Sequence, residues 1–160
     1  MEHLEIILKD IKLEQLEKVF YEHIIFDKSD IISSHFFVQG KDVEYQNIKS
    51  LKEYFKIPGT CNIYLKKAKI GIVLKNVLII IACDGNCADV TINVSREDFK
   101  LYHNQKSELQ LLLKLLVEIS EDNEAKKIVL GYEPAEDEDM KILEVNGGLV
   151  KLFQENIGRF

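Results

Sequence analysis

Five carboxylates stand within seven residues near the C-terminal end of this 160-residue chain. They are Glu133, Glu136, Asp137, Glu138 and Asp139, directly preceded by Tyr132. Like charges this close repel one another, so a fold normally accepts them only where water or a cationic partner neutralises them. One interpretation is a solvated loop, and the other is a partner-binding patch with Tyr132 as an aromatic anchor. Glycosidase chemistry would need two carboxyl groups converging on a cleft, which adjacent loop residues rarely supply.

The other residue types that could do chemistry are dispersed. Cys83 and Cys87 bracket a turn, but a zinc site needs two further ligands, and the neighbouring sequence has no histidine and no second cysteine pair. Asp84 and Asp89 offer fewer oxygens than calcium requires. The four histidines form no i, i+4 pair, and metalloprotease, serine-hydrolase and phosphate-loop motifs are absent. We therefore expect no catalytic residue, no metal and no cofactor.

The net charge of −6 is unevenly distributed along the chain. Residues 1–80 carry 12 basic and 11 acidic side chains, whereas residues 81–160 carry 9 and 16. Phosphate contacts need a basic stripe, so this balance disfavours nucleic acid and anionic membranes and permits a cationic protein partner. No apolar run approaches the roughly 18 residues of a membrane span, and no signal peptide is recognisable. The odd number of cysteines indicates reduced thiols in the cytoplasm.

Hydrophobic periodicity predicts the elements that would position the acidic run. Helical spacing favours N-terminal helices over about residues 12–24 and 48–55, with a short hairpin between them formed by 34–39 and 43–46. From residue 61 to 94 the pattern becomes that of strands, over 63–65, 70–74, 77–82 and 90–94. Their connections are too short for crossover helices, so neighbouring strands must be antiparallel. Residues 77–82 show no alternation, which predicts a central strand with both faces covered.

A Leu-rich helix is predicted over about residues 105–120, with a stripe wide enough to cover the sheet. A strand at 127–132 leads into the acidic run. Asn146-Gly147 then predicts a hairpin of 141–145 with 149–153, because both turn positions need φ > 0; a helix over 149–156 is the competing interpretation. The predicted fold is one α+β domain over residues 1–160, a mainly antiparallel sheet backed by the Leu-rich helix, with N-terminal helices.

The order of three stretches resembles a known family. They are Asp84-Gly85-Asn86-Cys87-Ala88-Asp89-Val90-Thr91-Ile92-Asn93-Val94 ending in Asp98-Phe99, then the Leu-rich helix, then Gly131-Tyr132-Glu133-Pro134 through Asn146-Gly147. This succession, over about residues 61–154, resembles the small cytoplasmic immunity proteins that bacteria encode beside secreted polymorphic toxins. The resemblance implies a protein that binds and blocks a cognate toxin and is not an enzyme.

Together, the resemblance and the acidic charge predict inhibition of a toxin, specifically a cationic nuclease. The predicted partner-binding residues are Tyr132, Glu133, Glu136, Asp137, Glu138 and Asp139. The alternative is a regulatory or adaptor domain that self-associates through the Leu-rich helix. An enzyme of an unrecognised kind is the third hypothesis.

Overall fold

The computed structural model describes residues 2–99, 105–122 and 124–157. The strands within these ranges are β1 (His3–Lys12), β2 (Ile31–Val38), β3 (Lys41–Val43), β4 (Gly59–Ile70), β5 (Ile72–Asp84), β6 (Cys87–Ser95), β7 (Lys127–Tyr132), β8 (Lys141–Asn146) and β9 (Leu149–Leu152). The helices are α1 (Leu13–Lys18), which continues as a π-helical turn over Val19–His23, then α2 (Leu51–Tyr54), α3 (Arg96–Phe99), α4 (Gln105–Glu121) and α5 (Gln154–Ile157). Single 3-10 turns lie at Lys28–Asp30 and Tyr45–Asn47.

All nine strands belong to one sheet, in the order β3-β2-β4-β5-β6-β1-β7-β8-β9. Every neighbouring pair is antiparallel, as the short connections predicted. Strand β1 lies between β6 and β7, so the first strand of the chain occupies the interior of the sheet. Sequence analysis assigned no element to these residues, because the apolar run Ile6-Ile7-Leu8 is short and its partner strands come at least 75 residues later.

The two faces of the sheet differ in what covers them. One face, here called the helical face, carries a buried cross-strand row that packs in the main core with α1 and α4; the row is Ile63, Ile79, Ile92, Ile6, Leu130 and Leu143. The neighbouring row on the other face is His35, Asn62, Ile80, Thr91, Ile7 and Val129. We call this the open face, since across β2, β4 and β5 its side chains are half-buried or exposed.

Strand β5 corrects two expectations. Residues 75–76 were predicted to separate two strands, but they lie inside β5, and the reversal occurs at Gly71 with φ +70°. Residues 77–82 were predicted to be the sheet centre with both faces covered, yet β5 is fourth of nine strands and its burial alternates. Ile79 and Ile81 are fully buried, whereas Ile80 is only half-buried on the open face. The unbroken apolar run therefore reflects a partly exposed face, not a second covering layer.

The N-terminal helices are shorter than their periodicity predicted. The segment expected over 12–24 forms α1 and the π-helical turn, and the one expected over 48–55 forms only α2, capped by the Ser50 hydroxyl, which accepts the Glu53 N–H at 3.2 Å. Aromatic packing attaches this region to the sheet. The Phe36 ring on β2 lies 5.6 Å from Tyr54 and 6.3 Å from Phe55, measured between ring centroids.

Both predicted hairpins are confirmed with shifted ends, but the second turn is Gly147-Gly148 and not Asn146-Gly147, since Asn146 is the last residue of β8. Strands β2 and β3 pair around Gly40, which has φ +73°, and β8 pairs with β9 around Gly147 and Gly148, with φ +54° and +78°. The competing helix over 149–156 is wrong for residues 149–152, which form β9. Turn residues that require positive φ thus set these two connections locally.

Helix α4 spans Gln105–Glu121, where sequence analysis predicted a helix over 105–120. Its residues Leu112, Leu116 and Ile119 are each 1% exposed and belong to the main core. Leu111 points away from the core and is 53% exposed. No helix among the described residues is long and apolar enough to cross a membrane.

We expect Leu112→Ala and Leu116→Ala each to lower the free energy of unfolding by about 2–5 kcal/mol, because each leaves a cavity in the core. Leu111→Ala makes the same change on the exposed side of α4 and should stay within about 0.5 kcal/mol of the parent. Urea denaturation measures all three. Fully stable Leu112 and Leu116 variants with an altered oligomeric state would support self-association through α4 instead.

Candidate functional site

The acidic run forms the loop that joins β7 to β8, here called the acidic loop (residues 133–139). It lies over the open face, where Ala135 is fully buried against Ile7 of β1 and Val129 of β7. The Ala135 N–H donates to Glu5 Oε2 at 3.0 Å, and the Glu133 N–H donates to the His3 carbonyl at 3.0 Å. The loop is therefore fastened to β1 by one apolar contact and two hydrogen bonds.

Gly131 lets the two ends of the acidic loop approach each other. A Cβ atom there would lie 2.6 Å from the Met140 carbonyl oxygen and 3.1 Å from Ala135 Cβ. The β7–β8 register shifts between Leu130 and Gly131, and the Tyr132 N–H donates to the Met140 carbonyl at 3.0 Å. A side chain at position 131 would push the start of the loop away from β8, so glycine is needed for close approach and not for an unusual φ.

Two of the five carboxylates of the acidic loop pair with lysines of the same chain. Glu136 lies 3.0 Å from Lys9 Nζ, and Glu138 lies 2.5 Å from Lys141 Nζ. Burial opposes the charge on Lys9, but hydrogen bonds to Glu136 and Asp89 outweigh it and raise the pKa of Lys9. The hydrogen bond from Lys141 lowers the pKa of Glu138. These two acids pair the loop with Lys9 of β1 and Lys141 of β8.

The other three acids, Glu133, Asp137 and Asp139, are exposed. Among the described residues, no basic nitrogen lies within salt-bridge distance of their carboxylates. The backbone beneath them is fixed, since the Met140 and Lys141 N–H groups both donate to the Asp137 carbonyl, at 2.9 and 3.1 Å. The loop thus presents unneutralised negative charge on an ordered frame.

Tyr132 lies on the other side of the sheet from these acids. It shares a cross-strand row with Leu4 and Val94 on the helical face, and only 5% of it is exposed. The Arg96 guanidinium carbon lies 5.8 Å from the centre of its ring. The structure therefore brings the five carboxylates together at the surface and places the tyrosine in the core beneath the first residue of the loop.

The cysteines and histidines form no reactive cluster in the part of the chain that the structure describes. All three cysteines are free thiols, and burial raises the pKa of Cys61 to about 12 and also raises the pKa of Cys83. No group of three or more potential ligands that could hold a metal occurs within the described residues. His3 contacts Asn93, His35 contacts Asp42, and His103 lies outside the described residues.

Sequence analysis missed a buried charged cluster on the helical face. The Glu124 carboxylate is 1% exposed, lies 2.7 Å from His23 Nε2 and forms an ion pair with Lys18 Nζ. Glu124 and His23 are 101 residues apart in sequence, so no spacing could have signalled the contact. The cluster ties the first helical segment to the connection between α4 and β7. The burial of Glu124 and His23 suits a structural role.

Comparisons with known proteins identify the family. The profile described as PABL017 Cdi1I immunity protein matches residues 2–148. The chain is also similar to a chain in the 1.75 Å crystal structure of the toxic C-terminal tip of CdiA from Pseudomonas aeruginosa in complex with immune protein. The two share 17% sequence identity, with a TM-score of 0.65 over 89% of this chain and 94% of that chain, so they share a fold.

A comparison with curated proteins gives no match. The family profile nevertheless confirms the predicted resemblance and extends it to the N-terminal region, which had contributed nothing to it. Since the profile covers residues 2–148 of 160, this chain belongs to the family of PABL017 Cdi1I immunity proteins.

Proposed function

We propose that this chain neutralises a cognate toxin by forming a stoichiometric complex with it, without catalysing a reaction. The family supports the binding role, and the acidic loop supports the choice of surface. Glu133, Asp137 and Asp139 are exposed, lack a lysine or arginine partner among the described residues and sit on a fixed backbone. A fixed array of negative charge matches a basic partner surface and attracts it before contact.

We further propose that the toxin is a cationic nuclease. Nucleases hold their polyanionic substrate with lysine and arginine side chains. The carboxylates of the acidic loop would compete with phosphates for the same cations. The net charge of −6 agrees with this and argues against nucleic acid or an anionic membrane as a direct partner. The odd number of cysteines agrees with a role in the reducing cytoplasm.

The residues predicted for binding take different roles in this proposal. Glu133, Asp137 and Asp139 meet the toxin directly, while Glu136 and Glu138 hold the loop through their lysines and add to its field. Tyr132 positions the start of the loop from the core. The adaptor alternative finds less support, because self-association through α4 would need Leu112 and Leu116, which the core already uses.

The test neutralises only the three acids without a lysine partner, as Glu133→Gln, Asp137→Asn and Asp139→Asn. We expect this variant to fold normally and to associate with the toxin encoded beside this chain about tenfold more slowly at low salt, because steering is lost. The parent rate should fall as salt is raised, since the Debye length shrinks from about 10 Å at 0.1 M to about 3 Å at 1 M. Stopped-flow measurements across this range supply the rates.

A matched control changes the same number of charges elsewhere. Glu14, Glu22 and Glu118 are exposed acids on helical segments of the opposite side of the sheet, and all three become glutamine. The control should associate at nearly the parent rate. Equal rates for both triple variants, with no salt dependence, would mean that the acidic loop is only a solvated surface.

A further inference from the structure

Strand β9 is an exposed edge of the sheet. It pairs with β8 on one side only and ends the strand order. All four of its residues are exposed, and three are apolar: Leu149 is 79% exposed, Leu152 51% and Val150 39%. Proteins usually protect such an edge with charges, proline or a covering element, because it is a template for another strand. Among the described residues no proline or further strand covers this apolar edge, which makes it a candidate binding surface.

The backbone of β9 offers hydrogen bonds outward at alternate residues. The two-residue turn at 147–148 makes Asn146–Leu149 and Glu144–Lys151 the hydrogen-bonded pairs of this hairpin. The Phe153 N–H donates to the Ile142 carbonyl, which continues the same alternation. Val150 and Leu152 therefore direct their N–H and C=O groups away from β8. Among the described residues, no hydrogen bond is recorded to these outward groups.

An apolar groove lies beside this edge on the helical face. It has a volume of about 260 Å³ and is walled by leucines of α4, including Leu113, by Ile142 and Leu143 of β8, and by Leu152 and Ile157. Leu152 is thus part of both the edge and the groove. An added strand would place every second side chain next to this groove, which is how strand addition acquires specificity.

Charge at one end of β9 discriminates between partners. Asp139 and Glu155 line a depression together with Leu152 at that end. At the other end lies the uncharged two-residue turn Gly147-Gly148. A second copy pairing antiparallel about a two-fold axis would bring the acidic end of each strand toward this uncharged turn of the other. The acids would then gain no cation, whereas a toxin strand with a basic residue at that end pairs with Asp139 and Glu155.

We propose that an extended segment of the cognate toxin, apolar in its middle and basic at the end that meets Asp139 and Glu155, pairs with β9 as a tenth strand of the sheet. This rests on the proposed toxin-binding function and adds how the toxin is held. Asp139 belongs to both surfaces, so the acidic loop and the β9 edge form one continuous interface. The loop accelerates encounter, and backbone pairing slows dissociation.

The test is Val150→Pro, which removes one outward N–H and leaves the β8 hydrogen bonds, since Val150 is not in a hydrogen-bonded pair with β8. We expect the toxin encoded beside this chain to bind this variant at least about tenfold more weakly, mainly through faster dissociation. Asp42→Pro is the matched control, because Asp42 holds the equivalent outward position on β3, the opposite edge. It should bind like the parent.

Amide hydrogen exchange on the unmodified chain keeps the proposal testable if Val150→Pro does not fold. The Val150 and Leu152 amides should exchange quickly in the chain alone and become protected when the toxin is added.

Toxin binding with unchanged exchange at both amides, or unchanged affinity of a folded Val150→Pro variant, would overturn strand addition while leaving the inhibitory function standing. A toxin that does not bind the parent chain would refute the proposed function itself. A dimer in light scattering that Val150→Pro dissociates would assign the edge to a second copy and also overturn the proposal.

Discussion

We expect Glu124→Ala to lower the free energy of unfolding by about 3 kcal/mol, because it leaves the largely buried His23 ring without its hydrogen-bond partner and the buried site without its carboxylate. His23 and Lys18 both lose their carboxylate, and the former is only 11% exposed at its side chain. Glu124→Gln should lower the free energy of unfolding by a smaller amount, since the amide keeps a hydrogen-bond partner for the His23 ring. Chemical denaturation at neutral pH measures both variants.

Asp122→Asn provides the control for this experiment. Asp122 lies 3.9 Å from the same Lys18 amine, but its side chain is 55% exposed, so solvent screens the pair. We expect a change within about 0.5 kcal/mol. A Glu124→Ala variant as stable as Asp122→Asn would show that water reaches the cluster and that its charges are not buried.

The second large effect concerns two adjacent phenylalanines of β2 that point to opposite faces. Phe36 is fully buried among the Tyr45, Tyr54 and Phe55 rings, and Phe36→Ala should cost about 3–5 kcal/mol of unfolding free energy. Phe37 is 44% exposed on the open face and stacks on His35 at 6.0 Å. Phe37→Ala should cost less than about 1 kcal/mol.

Thermal and urea unfolding of the two alanine variants check this difference, with circular dichroism to confirm that both fold. The chemical change is identical, so the comparison isolates the face of the sheet. Equal losses would mean that something covers the open face at β2 in solution, and the division into helical and open faces would have to be revised.

Local signals predicted those parts of the fold that short segments determine. The last hairpin was predictable because its backbone requirement lies within two residues, although these are Gly147 and Gly148 and not the predicted Asn146-Gly147. The position of β1 depends on partners near residues 90 and 130, and nothing within residues 3–12 reports on them. The π-helical turn at Val19–His23 is likewise not encoded by helical periodicity alone.

The acidic loop was identifiable from composition, but the burial of its aromatic neighbour, Tyr132, was not. Tyr132 is adjacent in sequence to Glu133, yet alternation along β7 directs it to the core. The separation of the five acids into lysine-paired and unpaired members also required the fold, because Lys9 comes from β1. The exposed edge at β9 could not be predicted from the sequence, because the exposure of Leu149 depends on which strands have a neighbouring strand on both sides.

The interior position of β1 has a consequence for how the molecule is made. During synthesis β1 precedes both of its partner strands, one of which ends at residue 95 and the other at residue 132. Its backbone therefore stays unpaired on one side until residue 132 has been synthesised, about 120 residues after β1 itself. At about 5–20 residues per second, that wait lasts on the order of ten seconds. The acidic loop is fastened to β1, so the proposed toxin-binding surface can assemble only after β7 and the loop itself have been synthesised.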